Sequence, residues 1–121
     1  MPDQATRLKV TRFGGTCIVE FEDRKILDEL CIVEIQEELN KLVDGEGPGT
    51  LKMLLSFANV EHMSSAALGM LITLNKRVKE KAGQLKLSDI KPQIFEVFKI
   101  TRLNQMFSIH DTIKQARESF S

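Results

Sequence analysis

The sequence predicts an α/β fold in which an antiparallel β-hairpin joins a mixed, mainly parallel sheet with about four helices, in the order β-β-α-β-α-β-α-β-α. Three observations carry this reading. Two β-rich runs flank Gly14-Gly15 near the start of the chain. Beyond them, apolar residues recur at helical spacing in segments set between short apolar runs. Strands that alternate with helices pair in parallel through right-handed crossovers.

The elements follow in order. Residues 1–6 read as a polar tail and residues 7–121 as a single domain. Leu8, Val10 and Arg12 alternate with Lys9, Thr11 and Phe13, and residues 16–21 are rich in β-formers. Gly14-Gly15 between them suits a two-residue turn, because glycine takes positive φ without steric cost. Ile32, Ile35, Leu39, Leu42 and Val43 then recur at offsets 0, 3, 7, 10 and 11, one face of a helix. Asp28 is placed to cap its start, with Leu27 and Ile32 as a hydrophobic staple. Glu29, Glu34, Glu37 and Glu38 cover the outer face. Gly45-Glu46-Gly47-Pro48-Gly49 ends the helix as a loop: a phosphate-cradling loop would precede a helix and carry Gly-Lys-Ser/Thr or GxGxxG.

Residues 50–57 are largely apolar and fit a central buried strand. Ser64 and Ser65 open a second helix, whose Ala67, Leu71, Leu74 and Val78 lie at offsets 0, 4, 7 and 11. Lys76, Arg77, Lys79 and Lys81 complement the dipole at its end, and Gly83 fits the C′ position. Residues 85–88 form a short strand. Pro92 suits the first turn of a third helix with Ile94, Val97 and Phe98 inward. Residues 107–109 make a last strand, and Asp111 caps a C-terminal helix carrying Ile113, Ala116 and Phe120 on one face.

Composition narrows the function classes. A chain of 121 residues, 42% hydrophobic and 28% charged, is an ordinary soluble globular domain. Its 17 basic and 17 acidic residues cancel, which argues against binding nucleic acid or an anionic membrane by bulk charge. The cancellation is uneven: residues 1–61 carry 7 basic and 12 acidic side chains, residues 62–121 carry 10 and 5. Cys17 and Cys31 sit in apolar segments and read as buried, reduced thiols. No apolar run follows the N-terminus as in a signal peptide, and none approaches the roughly 18 residues of a membrane span. A cytoplasmic protein is expected.

The chemistry-bearing residues give little support for catalysis. His62 and His110 have no Cys, Asp or Glu at metal-ligand spacing, so neither a metal nor a cofactor is expected. His62, Ser64 and Ser65 lie together, but a nucleophile elbow needs Gly-x-Ser-x-Gly, and His62 and Ala66 stand where its glycines would be. A small hydrolase is therefore a distant alternative. The basic run over residues 76–81 lacks interleaved aromatics and reads as a solvated helix end. What remains is the strand-to-helix junction at residues 57–71. It sets two serines where free N–H groups and the helix dipole favour an anion. A phosphate there would add about −1.5 to −2 charges without requiring a change of fold. Plain N-capping by serine accounts equally for the position.

This junction resembles that of the STAS domain of anti-sigma factor antagonists. Val60, Met63, Ser64, Ser65, Leu68, Gly69 and Leu71 match its pattern of Val-x-x-Met-[Asp/Ser]-Ser-[Ser/Ala]-Gly-Leu-Gly-x-Leu. The likeness runs over roughly residues 7–120, through Leu85-Lys86-Leu87, Pro92, residues 94–100, Leu103, Phe107, Ile109 and Ala116. It implies a STAS fold and a non-catalytic module in a partner-switching pathway of transcription regulation. Such a module sequesters an anti-sigma factor of the GHKL serine kinase type, is phosphorylated by it, and is reset by a serine phosphatase. The resemblance implies partner binding through His62, Met63, Ser64, Ser65, Ala66 and Gly69. Ala66 occupies the usual phosphoacceptor position and Ala67 replaces the usual Gly. The acceptor is therefore lost, or its role has moved to Ser65, the nearer candidate, or Ser64. The alternative is a STAS module without a phosphoswitch, acting as a constitutive antagonist or assembly subunit. STAS domains are also found attached to anion transporters, a setting that this chain, with no membrane span, does not suggest.

Overall fold

Gly14 and Gly15 both take positive φ (56° and 85°), so the chain reverses in two residues. The turn lays β1 (Leu8–Phe13) antiparallel to β2 (Thr16–Phe21), with Leu8 opposite Phe21 and Phe13 opposite Thr16. The computed structural model describes residues 7–47 and 49–120; the polar tail expected over residues 1–6 lies outside them, as do Pro48 and Ser121. After β2 come β3 (Lys25–Ile26), α1 (Glu29–Asp44), β4 (Lys52–Ser56), β5 (His62–Met63) and α2 (Ser65–Glu80). The chain continues with β6 (Gln84–Ser88), α3 (Pro92–Ile100), α4 (Leu103–Met106), β7 (Ser108–His110) and α5 (Ile113–Ser119).

The main sheet runs β1-β2-β4-β6-β7, and every pairing after the hairpin is parallel. The uninterrupted apolar run of β4 has the cause expected of it: Met53, Leu54 and Leu55 are fully buried between layers on both faces. On one face Val19, Met53, Leu55 and Leu87 pack with Ile35 and Leu39 of α1, Leu71 and Leu74 of α2, and Ile94 and Phe98 of α3. Phe21, Phe57, Phe98 and Phe107 run through this layer as a chain of ring contacts, with centroids 5.0, 6.4 and 6.2 Å apart. On the other face Ile18 and Leu54 meet Ala116 of α5, with Ile113 and Phe120 alongside. That smaller layer is the one the Ile113–Ala116–Phe120 spacing implies.

Several expectations need correction. Among the described residues there are five helices, because one extra turn, α4, follows Arg102 in a left-handed conformation (φ 63°). A second, two-stranded sheet pairs β3 with β5; two residues per strand are too few for any periodicity to reveal. Asp28 has the extended backbone of an N-cap, but its side chain makes no capping bond, and Leu27 is 49% exposed rather than stapled to Ile32. Thr112, not Asp111, caps α5, its hydroxyl accepting from the Gln115 N–H at 3.1 Å. The last strand begins one residue later than expected, and Val97 lies mostly on the outside of α3.

The end of α2 differs in an instructive way. The C′ residue is Ala82, at φ 56°, and Gly83 follows it. Ala82 N–H donates to the Lys79 carbonyl and Gly83 N–H to that of Val78, the paired bonds of a Schellman ending. Gly83 is required for space, since a Cβ there would lie 2.9 Å from the Leu51 carbonyl oxygen and 3.2 Å from Val78 Cγ1.

Candidate functional site

The junction before α2 is held by the segment before α1. The Arg24 carbonyl accepts from the N–H groups of Glu61 (2.7 Å) and His62 (3.2 Å), and the Ile26 carbonyl accepts from Ser64 N–H at 3.1 Å. In register, Lys25 faces His62 and Ile26 faces Met63. The Arg24 guanidinium also pairs with the Glu61 carboxylate at 2.9 Å, holding that carboxyl below its usual range. These contacts set where the chain enters the helix. Sequence patterning did not point to residues 24–26 as support for the site.

From this platform the candidate residues divide. Ser64 is the N-cap: its backbone is extended (φ −85°, ψ 170°), its Oγ accepts from Ala67 N–H at 3.2 Å, and its carbonyl accepts from Leu68 N–H at 3.1 Å. Met63 is half-buried and packs against the core. His62, Ser65, Ala66 and Gly69 are exposed. The Ser65 hydroxyl makes no hydrogen bond among the described residues, and no acidic residue occupies the first turn of α2. Ala67, where the resembled pattern has glycine, is fully buried, so its methyl belongs to the core. Gly69 is the converse. It is exposed in mid-helix, takes no positive φ, and a Cβ there would meet nothing within 4 Å. Internal packing gives no reason for it, although glycine in a helix costs about 0.5–1 kcal/mol relative to alanine.

Catalytic geometry is not assembled here. Ser64 Oγ is committed to the cap, and no hydrogen bond joins His62 to either serine among the described residues. His110 lies elsewhere, its Nε2 within 3.0 Å of Ser108 Oγ and 3.3 Å of Ser119 Oγ. It lines an open cleft of about 630 Å³ at the carboxyl ends of β6 and β7, with Phe95, Phe107 and Ile109 among its walls. Burial pushes the Cys17 and Cys31 thiols up from their ordinary value, so both favour the protonated, unreactive form. Among the described residues no cluster of His, Cys, Asp and Glu could hold a metal ion, and no helix is long and apolar enough to cross a membrane.

The family comparison covers nearly all of this fold: the model of the STAS domain matches residues 8–116. The chain belongs to the STAS domain family. A candidate anti-sigma factor antagonist of Thermotoga neapolitana is 31% identical over 104 residues, covering 78% of this chain and 92% of the relative. Among solved structures, an anti-sigma factor antagonist from Mycobacterium paratuberculosis superposes with a TM-score of 0.79 at 17% identity, covering 93% of this chain and 91% of that one. The phosphorylated form of the Bacillus cell fate determinant SpoIIAA superposes with a TM-score of 0.68 at 14% identity, covering 92% and 96%. At those identities the two structures establish this STAS domain's fold.

Proposed function

We propose that residues 7–121 form one cytoplasmic, non-catalytic STAS module that acts as an anti-sigma factor antagonist. It sequesters an anti-sigma factor of the GHKL serine kinase type through the edge made by His62, Met63, Ser64, Ser65, Ala66 and Gly69, and so releases a sigma factor. The kinase then phosphorylates Ser65, and a serine phosphatase resets it. One observation carries the choice of residue: Ser65 is exposed at the first position of α2 with its hydroxyl uncommitted, whereas Ser64 spends its hydroxyl on the cap. A phosphate on Ser65 would sit at an acid-free helix N-terminus, where the dipole favours it. It would also add charge to the edge that a partner must desolvate. The name of the Thermotoga relative and the phosphorylated state of SpoIIAA support this reading.

The test is mass spectrometry after incubation with the cognate kinase and ATP. Phosphate is expected on Ser65; unmodified peptides at both Ser65 and Ser64 would remove the phosphoswitch. Ala66, standing where the resembled pattern has its acceptor, favours a second reading, a constitutive antagonist or assembly subunit that takes no phosphate. Under the first reading Ser65→Asp loses the anti-sigma partner in a pull-down; under the second it retains it.

A further inference from the structure

The outer face of the helix layer carries two apolar patches with opposite charge. On α1, Leu30 is 61% and Val33 42% exposed, and Leu27 just ahead of the helix is 49% exposed. The exposed Glu29 and Glu37 flank them, without ion-pair partners among the described residues. Farther across the layer, Ile72 on α2 is 40% exposed, and Val97 and Ile100 on α3 are 37% and 79% exposed. Exposed Lys76 and Lys79 flank that side. As whole helices, α1 has five acidic residues and one basic, and α2 three basic and one acidic. A single exposed leucine needs no explanation, but six large apolar side chains gathered on one layer mark an interaction surface.

The strand order settles how the patches lie. α1 crosses from β2 to β4, α2 from β4 to β6, and α3 with α4 from β6 to β7. The three long helices therefore stand side by side in that order on one face of the sheet, over one core. α1 and α2 pack together, whereas α3 packs chiefly on β5 and α4, so the α2–α3 boundary is the looser of the two.

We propose that this face pairs with the same face of a second copy of the chain in a two-fold dimer, with α1 of each copy laid along the α2–α3 boundary of the other. Two kinds of in-plane axis could bring the layers together. An axis across the helices would set α1 on α1, acid against acid. An axis along the helices, above the flank of α2 that faces α1, sets acidic α1 beside basic α2 twice over and brings Leu30 and Val33 toward Ile72, Val97 and Ile100. Charge therefore selects the second, an isologous contact that closes at two copies. α1 and α2, of 16 residues each, are ~24 Å long and the nine-residue α3 is ~14 Å long; side by side ~10 Å apart they offer ~600 Å². That falls somewhat below the ~800 Å² per partner of standard stable interfaces, so a reversible dimer in the micromolar range is expected.

Sedimentation equilibrium of the full chain from ~1 μM to ~1 mM, at low and high salt, tests this. The expected result is a monomer–dimer equilibrium weakened by salt and abolished by Ile100→Lys. That position is 79% exposed, so the variant should fold as the parent does, which circular dichroism verifies. Glu37→Lys or Lys76→Glu alone should each weaken the dimer about tenfold, since the two-fold repeats each change. Mixing these two variants should restore wild-type affinity, because both contacts of the mixed pair are again opposite in sign. A monomer at every concentration would overturn the proposal. So would association unchanged by Ile100→Lys, which would point instead to the open β1 edge, or a mixture that fails to restore. None of these results depends on phosphorylation of Ser65.

Discussion

Ser64 and Ser65 are adjacent in the chain and have different obligations. Ser64 satisfies an N–H that would otherwise be unpaired at the start of α2, and caps of this kind are worth about 1 kcal/mol. Ser65 makes no hydrogen bond among the described residues, and its side chain is exposed. Ser64→Ala should therefore lower unfolding stability by about 1 kcal/mol, while Ser65→Ala should change it by less than ~0.5 kcal/mol. Urea denaturation of the two variants checks this directly; equal effects would mean the hydroxyls share the cap. The sequence placed both serines at the helix start, but assigning the cap to one of them required the backbone angles. Serine at N-cap and serine at N1 have the same local pattern.

At the scale of elements, the two ends of α2 show what sequence patterning can and cannot reach. Its apolar face was legible from Ala67, Leu71, Leu74 and Val78, all of them buried. Its ending was not, because a glycine near a helix end has two possible causes. Here the left-handed residue is Ala82, and Gly83 is present because Leu51 of the neighbouring segment passes too close for a side chain. Ala82→Gly should thus stabilise the protein by about 0.5–1 kcal/mol, relief of the left-handed strain exceeding the entropy cost. Gly83→Ala should destabilise it through the clash with the Leu51 carbonyl. Opposite shifts in the thermal midpoint of the two variants check the assignment. The β3–β5 pair was illegible for another reason: its strands gain stability from what flanks them, including the Arg24–Glu61 ion pair. Because Arg24 depresses the Glu61 pKa, the stability this pair contributes is present above the ordinary glutamate value near 4.5. It is lost as pH falls through the lower folded value. In an NMR titration Glu61 should protonate at lower pH than an unpaired glutamate, and Arg24→Gln should return it to the ordinary range.

For the whole molecule, the order of elements and the parallel sheet were legible because each βαβ unit repeats the same solution: an apolar strand and a helix with one apolar face. The outer face of α3 was less so: Val97 was expected inward beside Ile94 and Phe98, and only the seating of the helix on the sheet decides which flank of that pair is covered. The uneven charge of the two halves has a spatial counterpart, with acidic α1 and basic α2 adjacent in one layer. Ser65 lies at the amino end of the basic member, on a fold whose core does not include its side chain. A negative charge at Ser65 should therefore act on the surface and leave the packing intact. It should even favour the folded state, because the first turn of α2 holds no acid to offset the dipole. Ser65→Asp is expected to raise unfolding stability by about 0.3–1 kcal/mol. In the same variant, amide shifts should change near β5 and the first turns of α2 and leave β4 and β6 as they were. If the charge instead lowered stability or moved resonances across the sheet, the switch would work by loosening the fold, and loss of a partner could no longer be read as electrostatic exclusion at the edge.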